Sequence, residues 1–146
     1  MKIVVTGGAG FIGGNFVHYM LEQHPEDRII CLDALTYAGN LETLADVMEN
    51  PKFKFVKGDI TDRRRVYALF EAEKPDVVVN FAAESHVDRS IHGPGEFIQT
   101  NIVGTFSLLE SVRAYYATLD DAGRAAFRFL HVSTDEVYGS LEKDAP

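Results

Sequence analysis

The run Lys2-Ile3-Val4-Val5-Thr6-Gly7-Gly8-Ala9-Gly10-Phe11-Ile12-Gly13 decides the fold. Residues 2–5 read as a strand that enters a glycine-rich turn. Beyond the turn, Phe11, Ile12, Phe16, Val17, Met20 and Leu21 recur at helical spacing. The same unit repeats along the chain. Residues 28–32, 53–56, 77–81 and 128–132 read as further strands. Residues 40–50 read as a short helix with Pro51 just past its end. Residues 62–73 read as a helix stopped by Pro75, and residues 94–119 as a long helix with proline at its start. Residues 119–124 read as a surface loop. The strand at 77–81 shows no polar alternation, as expected for a strand covered on both faces. Five strands alternating with helices predict an α/β fold, a doubly wound parallel sheet of Rossmann type, incomplete on its C-terminal side.

Composition removes several function classes. A chain of 146 residues, 46% hydrophobic and 25% charged, suits one globular domain with a real core. A net charge of −8 argues against nucleic-acid and anionic-membrane partners. No apolar run approaches the roughly 20 residues of a membrane helix, and no signal-peptide pattern precedes the glycine turn. Cys31 is the single cysteine, so a disulfide framework is excluded and a cytoplasmic setting is expected. The five histidines lack metal-ligand spacing, so no metal site is expected. Arg63-Arg64-Arg65 reads as a solvated helix face.

The glycine turn points to a cofactor. Its spacing, Gly7-x-x-Gly10-x-x-Gly13, is one residue longer than the usual dinucleotide fingerprint. Glycines there let the backbone approach a pyrophosphate, and the helix start offers N–H groups and a positive dipole end. Asp33 closes the second strand 20 residues after Gly13. A carboxylate at that place bonds both ribose hydroxyls and repels a 2′-phosphate, which favours NAD over NADP. Asp59-Ile60 follow the third strand, where an adenine would lie, although a plain turn role for Asp59 fits nearly as well. The long helix has more apolar positions than one face can hold, so its second face wants another partner, such as a second subunit.

Several runs together resemble one family. They are Thr6 to Gly13, Asp33-Ala34-Leu35-Thr36-Tyr37-Ala38-Gly39-Asn40, Ala82-Ala83-Glu84-Ser85-His86-Val87-Asp88-Arg89-Ser90, Thr100-Asn101-Ile102-Val103-Gly104-Thr105 and Ser133-Thr134-Asp135-Glu136-Val137-Tyr138-Gly139. They are similar to the extended short-chain dehydrogenases/reductases, and within them to the branch that dehydrates nucleotide sugars. The resemblance implies NAD as cofactor, dTDP-glucose as substrate and a homodimer in the full-length protein. It puts Phe11 and Ile12 beside the pyrophosphate. Asp33, Ala34, Leu35 and Thr36 would hold the adenosine ribose, and Asp59 and Ile60 the adenine. Phe81 through Ser85 (Phe81, Ala82, Ala83, Glu84 and Ser85) and Thr100 would line the nicotinamide half. Ser85 and Thr134 would touch the sugar. Asp135 would protonate the leaving C6 hydroxyl and Glu136 would take the C5 proton, after oxidation at C4 and before hydride return to C6.

The chemistry suits these residue types. It asks one carboxyl to be protonated while its neighbour is ionised, a division that like-charge repulsion favours. Adjacent residues of a regular strand point to opposite faces, so the backbone must leave strand geometry at 133–136 for both to reach one substrate. The family also needs a Tyr-x-x-x-Lys pair and a nucleotide-sugar domain, and neither occurs in residues 1–146. The expectation is therefore an N-terminal portion, a partial NAD-binding domain inactive by itself. Two other readings stay open: an epimerase or decarboxylase of the same family, and a non-catalytic NAD-binding module.

Overall fold

The computed structural model describes residues 1–139. The five strands are β1 (Lys2–Thr6), β2 (Arg28–Asp33), β3 (Phe53–Lys57), β4 (Val77–Asn80) and β5 (Arg128–His131). They form one parallel sheet in the order β3-β2-β1-β4-β5. The main helices are α1 (Phe11–Gln23), α2 (Arg63–Glu73), α3 (Val87–His92), α4 (Pro94–Phe97), α5 (Thr105–Thr118) and α6 (Asp121–Ala126).

The central strands β2, β1 and β4 are apolar on both sides, so the middle of the sheet is sandwiched. Ile3, Val5, Ile29, Cys31 and Val79 face α1 and the 3-10 helix Leu41–Val47. Val4, Ile30, Leu32 and Val78 face α2 and α5, where Val66, Phe70, Leu108 and Tyr115 close the second core. The alternation of neighbours between the two clusters is the period of two expected for a strand. In the central strands it is invisible as polarity because both faces are dry.

Four sequence expectations need correction. The helix predicted over 40–50 is a 3-10 helix, Leu41–Val47, capped by the Asn40 side chain, which accepts from the Glu42 N–H. The long helix is continuous but irregular: α4 passes into a π-helical stretch, Ile98–Gly104, and then into α5. The segment read as a surface loop at 119–124 becomes α6, started by the Asp120 carboxylate, which accepts from the Gly123 N–H at 2.7 Å. Helix α3 was not anticipated at all.

Candidate cofactor and acid–base site

The site lies beyond the carboxyl ends of β1, β2, β4 and β5, where the strand order reverses around β1 and β4. The turn after β1 is built on two glycines. Gly7 has φ +69°, and a Cβ there would come within 2.6 Å of the Ala82 backbone nitrogen. A Cβ on Gly13 would stand 2.3 Å from the Gly7 carbonyl oxygen. Gly10 starts α1 without any side-chain cap. The first-turn N–H groups thus stay available to an anion, with the helix dipole behind them. Phe11 and Ile12 are 84% and 64% exposed beside this turn.

Asp33 is the hub between the first two loops. Its carboxylate accepts from the Ala9 N–H at 2.9 Å and from the Leu35 N–H at 2.7 Å. It therefore ties the glycine turn to the loop after β2 while lying almost wholly buried. Leu35 holds a left-handed conformation, φ 54°, in that loop. Ala34 and Leu35 are half-buried and Thr36 is exposed. After β3, the Asp59 carboxylate accepts from both the N–H and the hydroxyl of Thr61 at 2.8 Å, which is a turn role. Ile60 is buried in the core with Leu108 and Val112.

The loop after β4 carries Phe81 and Ala82, half-buried, and Ala83 and Ser85, exposed. Phe81 packs against Phe16 of α1 with ring centroids 5.2 Å apart. Thr100 faces this loop region from the π-helical stretch. Beneath the loops, Thr6, Asn80 and His131 form a polar chain across three strands. The Thr6 hydroxyl donates to the Asn80 side-chain oxygen, and the Asn80 amide meets His131 Nδ1 at 2.9 Å.

The backbone at 133–136 leaves strand geometry, as the expected acid–base role of this run requires. β5 ends at His131, and Asp135–Tyr138 form a 3-10 turn. Strand geometry is thus abandoned before Thr134, and adjacent residues need not face opposite ways. Thr134 and Asp135 are exposed, and the Thr134 hydroxyl donates to Asp135 Oδ1 at 3.3 Å.

One group of residues was missed as a unit. Tyr37, Glu84 and Arg89 meet between the loops after β2 and β4. The Arg89 guanidinium stacks 3.8 Å above the Tyr37 ring and pairs with Glu96 at 3.2 Å. The Tyr37 hydroxyl is held above its usual range by desolvation first, then by the adjoining Glu84 carboxyl, with Arg89 and the His86 backbone opposing. Asn101 clamps this loop. Its side-chain oxygen accepts from the Glu84 N–H and its amide donates to the Glu84 carbonyl, both at 2.8 Å. Only folding brings Tyr37 and Glu84 together, so spacing along the chain carries no signal for it.

The comparisons with known proteins agree with this geometry. The family model described as GDP-mannose 4,6 dehydratase matches residues 4–146. The dTDP-glucose 4,6-dehydratase of Xanthomonas campestris pv. campestris strain B100 is 63% identical over 94% of this chain and 39% of its own length. That of Neisseria gonorrhoeae is 55% identical over 96% of this chain and 40% of its own. The chain thus spans about two-fifths of the length of these curated relatives. Among solved structures, the dTDP-glucose 4,6-dehydratase of Bacillus anthracis in complex with NAD superposes with a TM-score of 0.82 and 44% identity, covering 99% of this chain and 41% of that one. The UDP-glucose 4-epimerase of Thermotoga maritima reaches 0.79 at 31% identity, covering 98% of this chain and 41% of that one. By sequence runs, fold and match, the chain belongs to the GDP-mannose 4,6 dehydratase family, among the extended short-chain dehydrogenases/reductases.

Proposed function

We propose that this chain supplies the NAD-binding layer and the acid–base pair of a dTDP-glucose 4,6-dehydratase. The observation that carries the reading is the 3-10 turn Asp135–Tyr138 shortly beyond β5, at the same carboxyl end of the sheet as the glycine turn. A nucleotide-binding module alone has no use for adjacent carboxylic residues there. The curated relatives at 55–63% identity bear the dehydratase name, which supports the substrate class.

The residues fit the cofactor. The uncapped start of α1 and the glycines at 7 and 13 suit a pyrophosphate, with Gly10, Phe11 and Ile12 alongside. Asp33, Ala34, Leu35 and Thr36 would hold the adenosine ribose, and the Asp33 carboxylate keeps lone pairs beyond its two backbone bonds. Asp59 and Ile60 would meet the adenine, Ile60 through its backbone because its side chain is buried. Phe81, Ala82, Ala83, Ser85 and Thr100 would line the nicotinamide half. NAD held by these residues would supply the hydride acceptor for C4 of the sugar and the donor for C6.

This chain's own part is proton transfer. A C4 ketone acidifies the C5 proton enough for a carboxylate base, the role of Glu136. Hydroxide leaves C6 poorly unless protonated, the role of Asp135. Thr134 and Ser85 would position the sugar. The C4 oxidation needs a tyrosine base with a nearby lysine, which these residues do not supply, so residues 1–146 alone are expected not to turn over. They form the NAD-binding Rossmann-type domain.

The partner is a second copy. Ile98, Ile102, Phe106 and Leu109 are 44–64% exposed along one side of the π-helical stretch and α5. An apolar stripe of that length asks for cover, and an antiparallel copy of the same stripe supplies it. The buried free thiol of Cys31 supports a cytoplasmic setting. Among the described residues no helix is long and apolar enough to cross a membrane.

The test joins this chain to the remaining length of the Xanthomonas relative and assays it with dTDP-glucose in deuterated water. The expected product is the 4-keto-6-deoxy sugar with deuterium at C5, lost in Glu136→Gln. Simple C4 epimerisation, or full activity of Glu136→Gln, would overturn the proposal.

A further inference from the structure

The row Thr6, Asn80 and His131 has no part in the chemistry above. It crosses β1, β4 and β5 on one face of the sheet, next above the apolar row Val4, Val78 and Phe129. That apolar row packs into the core beneath α2 and α5. Thr6 and Asn80 are 0% and 1% exposed, a setting that ordinarily holds apolar side chains. A buried amide there costs desolvation that is offset only when each of its polar atoms finds a partner.

The partners fix the direction of each bond. The Thr6 hydroxyl donates to the Asn80 side-chain oxygen and accepts from the Ala82 N–H at 3.4 Å. The Asn80 amide nitrogen, which can only donate, then faces His131 Nδ1 at 2.9 Å. Nδ1 therefore accepts, and the ring carries its proton on Nε2. With the proton on Nδ1, two donors would meet. Reversing the amide to avoid this would leave the buried Thr6 hydroxyl facing a donor in its turn.

The row ends where the site begins. Thr6 precedes the glycine turn, Asn80 precedes the loop of Phe81 and Ala82, and His131 is the last residue of β5 before the acid–base run. Among the described residues β5 pairs with β4 alone, and Leu130 is 54% exposed. Beyond the backbone ladder, packing does little to hold this strand. The Asn80–His131 bond ties its final rung to a buried group of an interior strand.

We infer that His131 is a positioning residue for the acid–base pair: by accepting from the Asn80 amide it fixes the end of β5, and with it the start of the turn that carries Asp135 and Glu136. This rests on the dehydratase reading above. Through Asn80 and Thr6 the same row holds the glycine turn and the loop after β4 in register with that turn.

The full-length fusion described above, assayed with dTDP-glucose, tests this in wild type, His131→Leu and His131→Asn. Asn80→Ala and the Asn80→Ala/His131→Leu double variant complete a cycle. Turnover in His131→Leu should fall about 10- to 100-fold with KM nearly unchanged, because a displaced acid–base pair slows elimination and not substrate binding. Oxidation at C4 should still proceed, so reduced nicotinamide accumulates while deuterium incorporation at C5 slows. His131→Asn keeps an acceptor oxygen in place of Nδ1 and should restore most of the rate. Asn80→Ala should slow turnover similarly, and the double variant should be no slower than either single one. Nitrogen–proton correlation spectra of the 146-residue chain give an independent readout, in which His131 should show a protonated Nε2 and a bare Nδ1. A ring protonated on Nδ1, unchanged turnover in His131→Leu or additive losses in the cycle overturns the inference alone. So does a fall of all steps together that His131→Asn does not relieve, which makes His131 structural. A wild-type fusion that does not dehydrate overturns the dehydratase reading and this inference with it.

Discussion

Replacing Gly13 with alanine tests how tightly the glycine turn and α1 are built on one another. The added Cβ would lie 2.3 Å from the Gly7 carbonyl oxygen and 2.9 Å from both the Gly7 carbonyl carbon and Gly8 Cα. All three are backbone atoms, so no side-chain rotation relieves the overlap. The shortest approach is about 1 Å too close for a relaxed contact. Helix α1 must therefore shift or the turn must open. Overpacking of this kind costs about 1–3 kcal/mol, and a backbone clash belongs at the upper end. With a urea dependence of about 2 kcal/mol per molar, the midpoint should fall by roughly 1–1.5 M at unchanged slope. Gly95→Ala is the control, since a Cβ there meets nothing within 4 Å. Urea unfolding followed by circular dichroism reads both. Equal midpoints for Gly13→Ala and wild type would refute the packing argument.

Three further outcomes follow from single contacts. Asp33→Asn keeps one acceptor oxygen for two backbone N–H groups, so one bond to Ala9 or Leu35 is lost. The loss should cost about 1–3 kcal/mol in thermal or urea unfolding, and an unchanged stability would count against the hub role. Burial, with the Asp33 charge next, pushes the Cys31 thiol up to about 12. Iodoacetamide at pH 8 should therefore leave it unlabelled until urea is added, and ready labelling of folded protein would contradict the burial. Glu73 is held below the usual carboxylate range, chiefly by its hydrogen bond to Lys54 at 2.6 Å, with burial opposing and Arg28 assisting. A lowered folded value means that its contribution is complete above the unfolded value of about 4.3 and is lost as pH falls through the folded one. Stability measured from pH 5 downward should drop more steeply in wild type than in Glu73→Gln, and parallel curves would remove Glu73 from the acid response.

The sheet was legible because its strands are short, mostly apolar runs, four of them bounded by glycine, proline or aspartate. The parallel order followed from the alternation with helices. What the runs could not carry was helix type. The Asn40 and Asp120 caps are ordinary start signals, yet the segments behind them are too short and mixed for periodicity to settle. The π-helical stretch was hidden because its apolar residues keep near-helical spacing while Asn101 turns inward to hold Glu84. The same limit applies to the site. Gly7, Gly13 and Asp33 announce themselves through position beside a strand end, and Thr134 and Asp135 through an unusual run. The Asp33 bonds to Ala9 and Leu35, and the meeting of Tyr37, Glu84 and Arg89, depend on loops that only the sheet order brings together. The two apolar faces of the long helix were readable, and the exposed one is the stripe from Ile98 to Leu109.

The central claim is that the carboxyl end of this sheet is an NAD site with the selectivity of Asp33. Calorimetric titration of the chain with NAD and with NADP tests it most directly. The account predicts saturable binding of NAD and at least about tenfold weaker binding of NADP, because a 2′-phosphate would face the buried Asp33 carboxylate. Equal affinity for the two, or no binding of NAD, would contradict it.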